Sequence, residues 1–208
     1  MPAHDKKLLR RQIINFFPSY YTTLISIVQA TSFAYLLFVL SKTLLKGTDL
    51  NLFHALLLMT FLVIIQVWYE YMMGSAALRW LPSFCDSLIP FLLGLTQFSL
   101  IFSIESEKND WWYFSVSSLC IVSLIAYHNM YRGARQLKDN KTNEIVLLSL
   151  GKYPIINEIC AMGYAIAFFI FGVIEKRGDP NPYFLITSMV LVIAFMWRGW
   201  YYWRRIVR

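Results

Sequence analysis

Two carboxylates stand where a strongly apolar chain should carry none. Glu70 sits in Trp68-Tyr69-Glu70-Tyr71, near the end of one apolar block, and Asp86 sits in Pro82-Ser83-Phe84-Cys85-Asp86, at the start of the next. Glu158, four residues after Pro154, is a third. An ionisable group at membrane depth is expensive, and it is retained where it binds an ion, relays a proton or pairs with another charge. Carboxylates facing a water-filled cavity can bind a cation or pass a proton. Trp68, Tyr69, Tyr71 and Tyr127, beside them in sequence or depth, can add cation–π contacts to an organic cation. The same residues can ring the inner mouth of a cation pore.

The elements that position them follow from composition. The chain has 208 residues, of which 58% are hydrophobic and 15% charged; a soluble domain carries about 25% charge. The apolar residues gather in six blocks, 20–40, 52–73, 82–104, 111–131, 154–174 and 183–203. Each is close to the about 20 residues a helix needs to cross a bilayer. Backbone groups in lipid must satisfy one another, so blocks this long form helices. The expected fold is an all-α, polytopic integral membrane protein, one transmembrane domain over residues 1–208 with six spans.

Residues 1–17 carry Lys6, Lys7, Arg10 and Arg11 with Leu9, Ile13, Phe16 and Phe17 at helical spacing. They are expected to form a short amphipathic helix on the membrane surface, with Pro18 opening the first span. That first block reads as an uncleaved anchor, not a signal peptide. Pro90 should kink the third span. The connection 132–153 is basic, and Ile145 to Leu148 suggest a half-buried helical turn or two within it.

Orientation follows from Lys and Arg. With the N-terminus inside, the inner side holds Lys6, Lys7, Arg10, Arg11, Arg79, Arg132, Arg135, Lys138, Lys141, Lys152, Arg198, Arg204, Arg205 and Arg208, fourteen of the 19. Both termini and loop 132–153 are therefore expected in the cytoplasm, and the small size suggests a bacterial inner (plasma) membrane. The sequon Asn140-Lys141-Thr142 then faces the wrong side for glycosylation.

The odd blocks begin alike, Pro18 to Thr22, Pro82 to Asp86 and Pro154 to Glu158; the even blocks end alike, in Tyr69-Glu70, Tyr127-His128 and Trp197-Arg198. This suggests three repeated in–out–in helical hairpins, although shared helix-end chemistry generates a similar pattern. Either way, Glu70, Asp86, His128, Glu158 and Arg198, with Thr22 and Asn157, fall toward the cytoplasmic ends of their helices.

The function expected from this one-sided polar layer is transport: a channel or carrier for a cation, a proton or a small cationic solute, as a homo-oligomer if it forms a pore. The bland alternative is that these groups tie helices together, Glu70 or Asp86 with Arg79 or Arg198, and Glu158 with Arg132 or His128. A second functional class is a non-catalytic membrane subunit, or a membrane-disrupting effector, governed by a membrane or cytosolic partner. An embedded enzyme is the third; neither GxSxG nor HExxH occurs, and Asp86 with His128 is the one conceivable acid/base pair. Cys85, Cys120 and Cys160 lack metal-ligand spacing and read as small buried residues, so no cofactor or metal is expected. His54 reads as an interfacial histidine. The net charge of +7 is explained by the loops, without nucleic acid as a partner.

Overall fold

The computed structural model describes residues 3–45, 52–137, 141–176 and 182–207, and every regular element among them is an α-helix. In order these are α1 (Ala3–Leu45), α2 (Leu52–Ala77), α3 (Phe84–Glu105), α4 (Asn109–Gln136), α5 (Lys141–Leu150), α6 (Tyr153–Glu175) and α7 (Pro182–Val207). Five of them, α1, α2, α3, α6 and α7, are long and apolar enough to cross a membrane. The expected connections at 42–51 and 175–182, and Asn140 of the sequon, fall mostly outside the described residues.

Helix α1 differs from the sequence reading. It runs unbroken through Pro18, where an interfacial helix was expected to end and a span to begin. Proline removes one backbone hydrogen bond, and Asn15 and Ser19 lie close by, yet Phe16, Phe17, Tyr20 and Tyr21 flank it and the helix continues. The helix keeps its register, and Tyr21, Ile25, Gln29, Ser32, Leu36 and Val39 form one buried stripe at three- and four-residue spacing.

Helix α4 contains the block expected as a sixth span. Its 28 residues reach about 42 Å at 1.5 Å per residue. It is absent from the five because Ser115, Ser117, Ser118, Ser123, His128 and Asn129 dilute its apolar content. Burial explains Ser115 and Ser117. Helix α4 lies between α3 and α6, its most extensive neighbours, and small hydroxyls make those contacts. The Ser117 hydroxyl donates to the Ala165 carbonyl at 2.8 Å, and the hydroxyls of Ser99 and Ser115 are 2.7 Å apart.

Helix α2 is the most enclosed of the five apolar helices, whereas α7 leaves most of its surface uncovered. Its C-terminus is closed by the Arg79 guanidinium, which donates to the carbonyls of Ser75 (3.0 Å), Ala76 (3.3 Å) and Leu78 (3.2 Å); a cation there also favours the helix dipole. The turn that follows is pinned by Asn143 of α5. Its amide nitrogen donates to the carbonyls of Arg79 (2.7 Å) and Ala134 (3.0 Å), while the Arg79 N–H donates to its oxygen at 2.8 Å. Trp80, fully buried in the same turn, lies edge-on to Phe17 and Tyr21 and fills the space beside Gly133. The helical turns expected near Ile145 are thus a ten-residue helix with a structural asparagine on its inner face.

At the opposite end, Glu105 joins α3 to α1. Its carboxylate accepts from the Tyr35 hydroxyl at 2.7 Å and the Lys42 ammonium at 2.9 Å.

Candidate functional site

Glu70 lies near the C-terminal end of α2, and only 1% of its surface is exposed. A carboxyl group so enclosed needs donors, and four helices supply them. Gln66, one turn earlier on α2, donates its amide N–H to Oε1 at 2.9 Å. Trp203 of α7 donates its indole N–H to Oε2 at 2.7 Å, and Tyr153 of α6 donates its hydroxyl to Oε1 at 3.3 Å. The Tyr127 hydroxyl of α4 is also hydrogen-bonded to the group.

The donors are themselves held by packing. The Tyr153 ring stacks on Tyr202 with centroids 4.3 Å apart and meets Trp203 nearly edge-on. Helix α7 comes this close because residue 199 is glycine: a Cβ there would overlap Glu70 Oε1 and press on Gln66 Nε2 at 2.9 Å.

Arg198 stands beside this group, close enough to act on Glu70 electrostatically. Its guanidinium donates to Asn157 Oδ1, to Cys160 Sγ at 2.6 Å and to the Ile156 carbonyl at 3.4 Å. It also lies over the rings of Tyr153 and Phe195, 5.5 and 5.4 Å from their centroids. A cavity of about 70 Å³ adjoins Gln66 between α2, α4, α6 and α7, walled by Cys120, Ser123, Tyr164, Phe168 and Phe195 among others. The Tyr164 and Phe195 rings meet edge-on across α6 and α7 at 5.5 Å. Chemically, this is one carboxyl with neutral, partly rotatable donors, an arginine nearby and an aromatic-walled space alongside. Tyrosine hydroxyls can donate or accept, so the group can take a proton or a cation by exchanging partners.

The other expected residues have different surroundings. Asp86 is buried, and its Oδ2 accepts from the Ser83 N–H and the Ser83 hydroxyl, each at 2.7 Å, while the Ser83 oxygen accepts from the Asp86 N–H at 3.3 Å. This reciprocal pair is a capping box that starts α3. Glu158 of α6 faces His128 of α4 at 3.4 Å, both partly open to the surroundings. Asn157 is fully buried against Arg198. Thr22 is half-buried on α1 next to Tyr21. Tyr71 is buried between Tyr21 and Tyr127, with ring centroids 6.1 and 6.3 Å away. Tyr69 is half-buried, and Trp68 is exposed with its indole N–H directed at the Ser26 hydroxyl, 3.4 Å away.

The structure therefore brings together Glu70, Tyr127, Arg198 and Asn157, and leaves Asp86 and the Glu158–His128 pair in separate settings. Cys85 is exposed on the first turn of α3, contrary to the buried placement expected of it. Sequence reasoning passed over Gln66, Tyr153, Gly199 and Trp203. Nothing in the spacing of Trp203 marks a partner 133 residues away. The available signal was chemical: a glutamate in an apolar helix needs N–H and O–H groups at its own depth, and Tyr153 and Trp203 lie there. Comparison with protein-family models, with curated proteins and with solved structures finds no match for this chain.

Proposed function

We propose that this chain is a multi-pass membrane transport protein that moves a cation, a proton or a small cationic solute, with Glu70 as the charged group that meets it. The observation that carries the reading is the enclosed Glu70 carboxyl, bonded by neutral donors from several helices and joined through Gln66 to the cavity beside it. A structural ion pair would place a guanidinium or ammonium directly on the carboxylate. Here Trp203, Tyr153 and Gln66 hold it, which leaves its charge available to an arriving cation. Tyr164, Phe168 and Phe195 offer ring faces on the approach.

In this reading α4 is a sixth span and α1–α2, α3–α4 and α6–α7 are three in–out–in hairpins. The first turns of α1, with exposed Leu8, Leu9, Ile13 and Phe16, continue the first span to the inner surface of the membrane. The Lys and Arg bias puts both termini in the cytoplasm of a cell bounded by this plasma membrane. The sparsely covered α6 and α7 suit a homo-oligomer, whose copies would flank a shared pore.

The test is flux into proteoliposomes loaded with a cation- or pH-sensitive dye. Wild-type protein should carry the cation, and Glu70→Gln should reduce the rate to the background of empty vesicles while the protein stays folded. Unchanged flux in Glu70→Gln would remove the basis for this reading.

A partner-dependent membrane subunit is the second reading. It is favoured by α5, whose Ile145 and Leu148 are exposed on the side away from Asn143. Such a chain would be inert alone and would co-purify with a second protein.

A further inference from the structure

A separate seam of the bundle carries polar groups that the Glu70 site does not use. Helices α1 and α3 run parallel and in register. Tyr21 lies near Asp86 at one end, a Cβ on Gly94 would sit 3.0 Å from Val28 Cγ1 in the middle, and Tyr35 stacks on Phe98 and bonds Glu105 at the other end. In the middle of this seam each helix carries a glutamine. Gln29 follows Val28, and Gln97 lies one turn beyond Gly94, about 4.5 Å along the axis. Gln29 is 2% exposed and Gln97 0%. Among the described residues, neither the amide oxygen nor the amide nitrogen of either side chain has a hydrogen-bond partner.

Two unpaired amides buried this deeply are too costly to be left so. Their chemistry selects what they hold. A bare cation would satisfy the two carbonyls and leave both NH2 groups unpaired; an anion would do the reverse. A small neutral molecule that both donates and accepts can satisfy the oxygen and the nitrogen of an amide alike, and in a seam closed to bulk solvent it must be about the size of water. Ser32 and Ser103, fully buried on the same helices, donate to the carbonyls of Val28 (3.1 Å) and Leu100 (2.7 Å) and keep oxygen lone pairs free.

We infer that Gln29 and Gln97 form a water-binding site midway through the α1–α3 seam. The site is independent of Glu70. With Asp86 toward one end and Glu105 at the other, it makes α1–α3 a second polar line through the bundle.

Water-edited solid-state NMR on the full chain in lipid vesicles, labelled with 15N at glutamine and tryptophan side chains, tests it. Gln12 and Gln136 are exposed, and the buried Trp112 indole, bonded to the Thr60 hydroxyl at 2.8 Å, is a dry reference. Magnetisation from water should reach the Gln29 and Gln97 amides within about twofold of the time taken to reach Gln12 and Gln136, and at least about fivefold sooner than Trp112. Build-up as slow as that of Trp112 would overturn the site. As a second arm, Gln29→Leu should lower the melting temperature by about 2–4 °C, because it strips a partner from bound water. A rise in melting temperature would mean that the native amide is dry, and would equally overturn it.

Discussion

Glu70 and Asp86 stand on either side of one turn, both buried, and the contrast between them is the most informative feature of the molecule. The donors to Asp86 come from Ser83, three residues away on its own helix start. The donors to Glu70 include Tyr153, 83 residues away, and Trp203, 133 away. Asp86 forms its interactions when α3 forms. Glu70 completes its interactions only when α4, α6 and α7 have assembled around α2. An acid that begins a helix is explained by local chemistry. An acid that needs three helices to shelter it calls for a reason beyond folding, and cation or proton movement supplies one.

The sharpest way to break this contrast is to separate α7 from Glu70. Gly199→Val places side-chain atoms where Oε1 now lies and should destabilise the folded protein by about 3 kcal/mol, read from unfolding in detergent. Trp203→Phe keeps an aromatic ring but loses the indole N–H that donates to Oε2. The loss should be about 2 kcal/mol, the cost of a buried carboxyl oxygen left unpaired. Asp86→Ala removes the carboxylate half of the capping box of α3, while the Ser83 oxygen still accepts from the backbone N–H of residue 86, and should cost about 1 kcal/mol. Asp86→Asn keeps an acceptor for Ser83 and should change stability by less than about 0.5 kcal/mol. If Asp86→Ala proves costlier than Trp203→Phe, the division into a local and an assembled carboxyl is wrong.

The same division governs what the sequence makes legible. Apolar block length marks α2, α3, α6 and α7, because lipid imposes a minimum span on any helix that crosses it. Pro18 misled for α1: a proline after an amphipathic stretch looks like a helix start, but apolar residues on both sides carry the helix through it. Helix α4 was expected from its length, and its serines make sense only once α3 and α6 cover it. At the site, the ionisable residues Glu70 and Arg198 stand out because charge is conspicuous in an apolar chain. Tyr153, Trp203 and Gly199 do not, because aromatics and glycine are common in membrane helices for other reasons. Asn143 is hidden for the same kind of reason: an asparagine in a basic connection looks solvated, while its amide clamps the Arg79 backbone. Gln29 and Gln97 are neutral and isolated, and only their burial reveals them.

In the proposed transport role Glu70, and not merely acidity at that depth, meets the cation. The direct measurement is the flux per folded molecule in proteoliposomes for Glu70→Gln beside Asp86→Asn, each change removing one negative charge from the same end of the bundle. Flux should fall to the background of empty vesicles for Glu70→Gln and stay close to wild type for Asp86→Asn. Equal losses in the two variants, or loss in Asp86→Asn alone, would contradict that role.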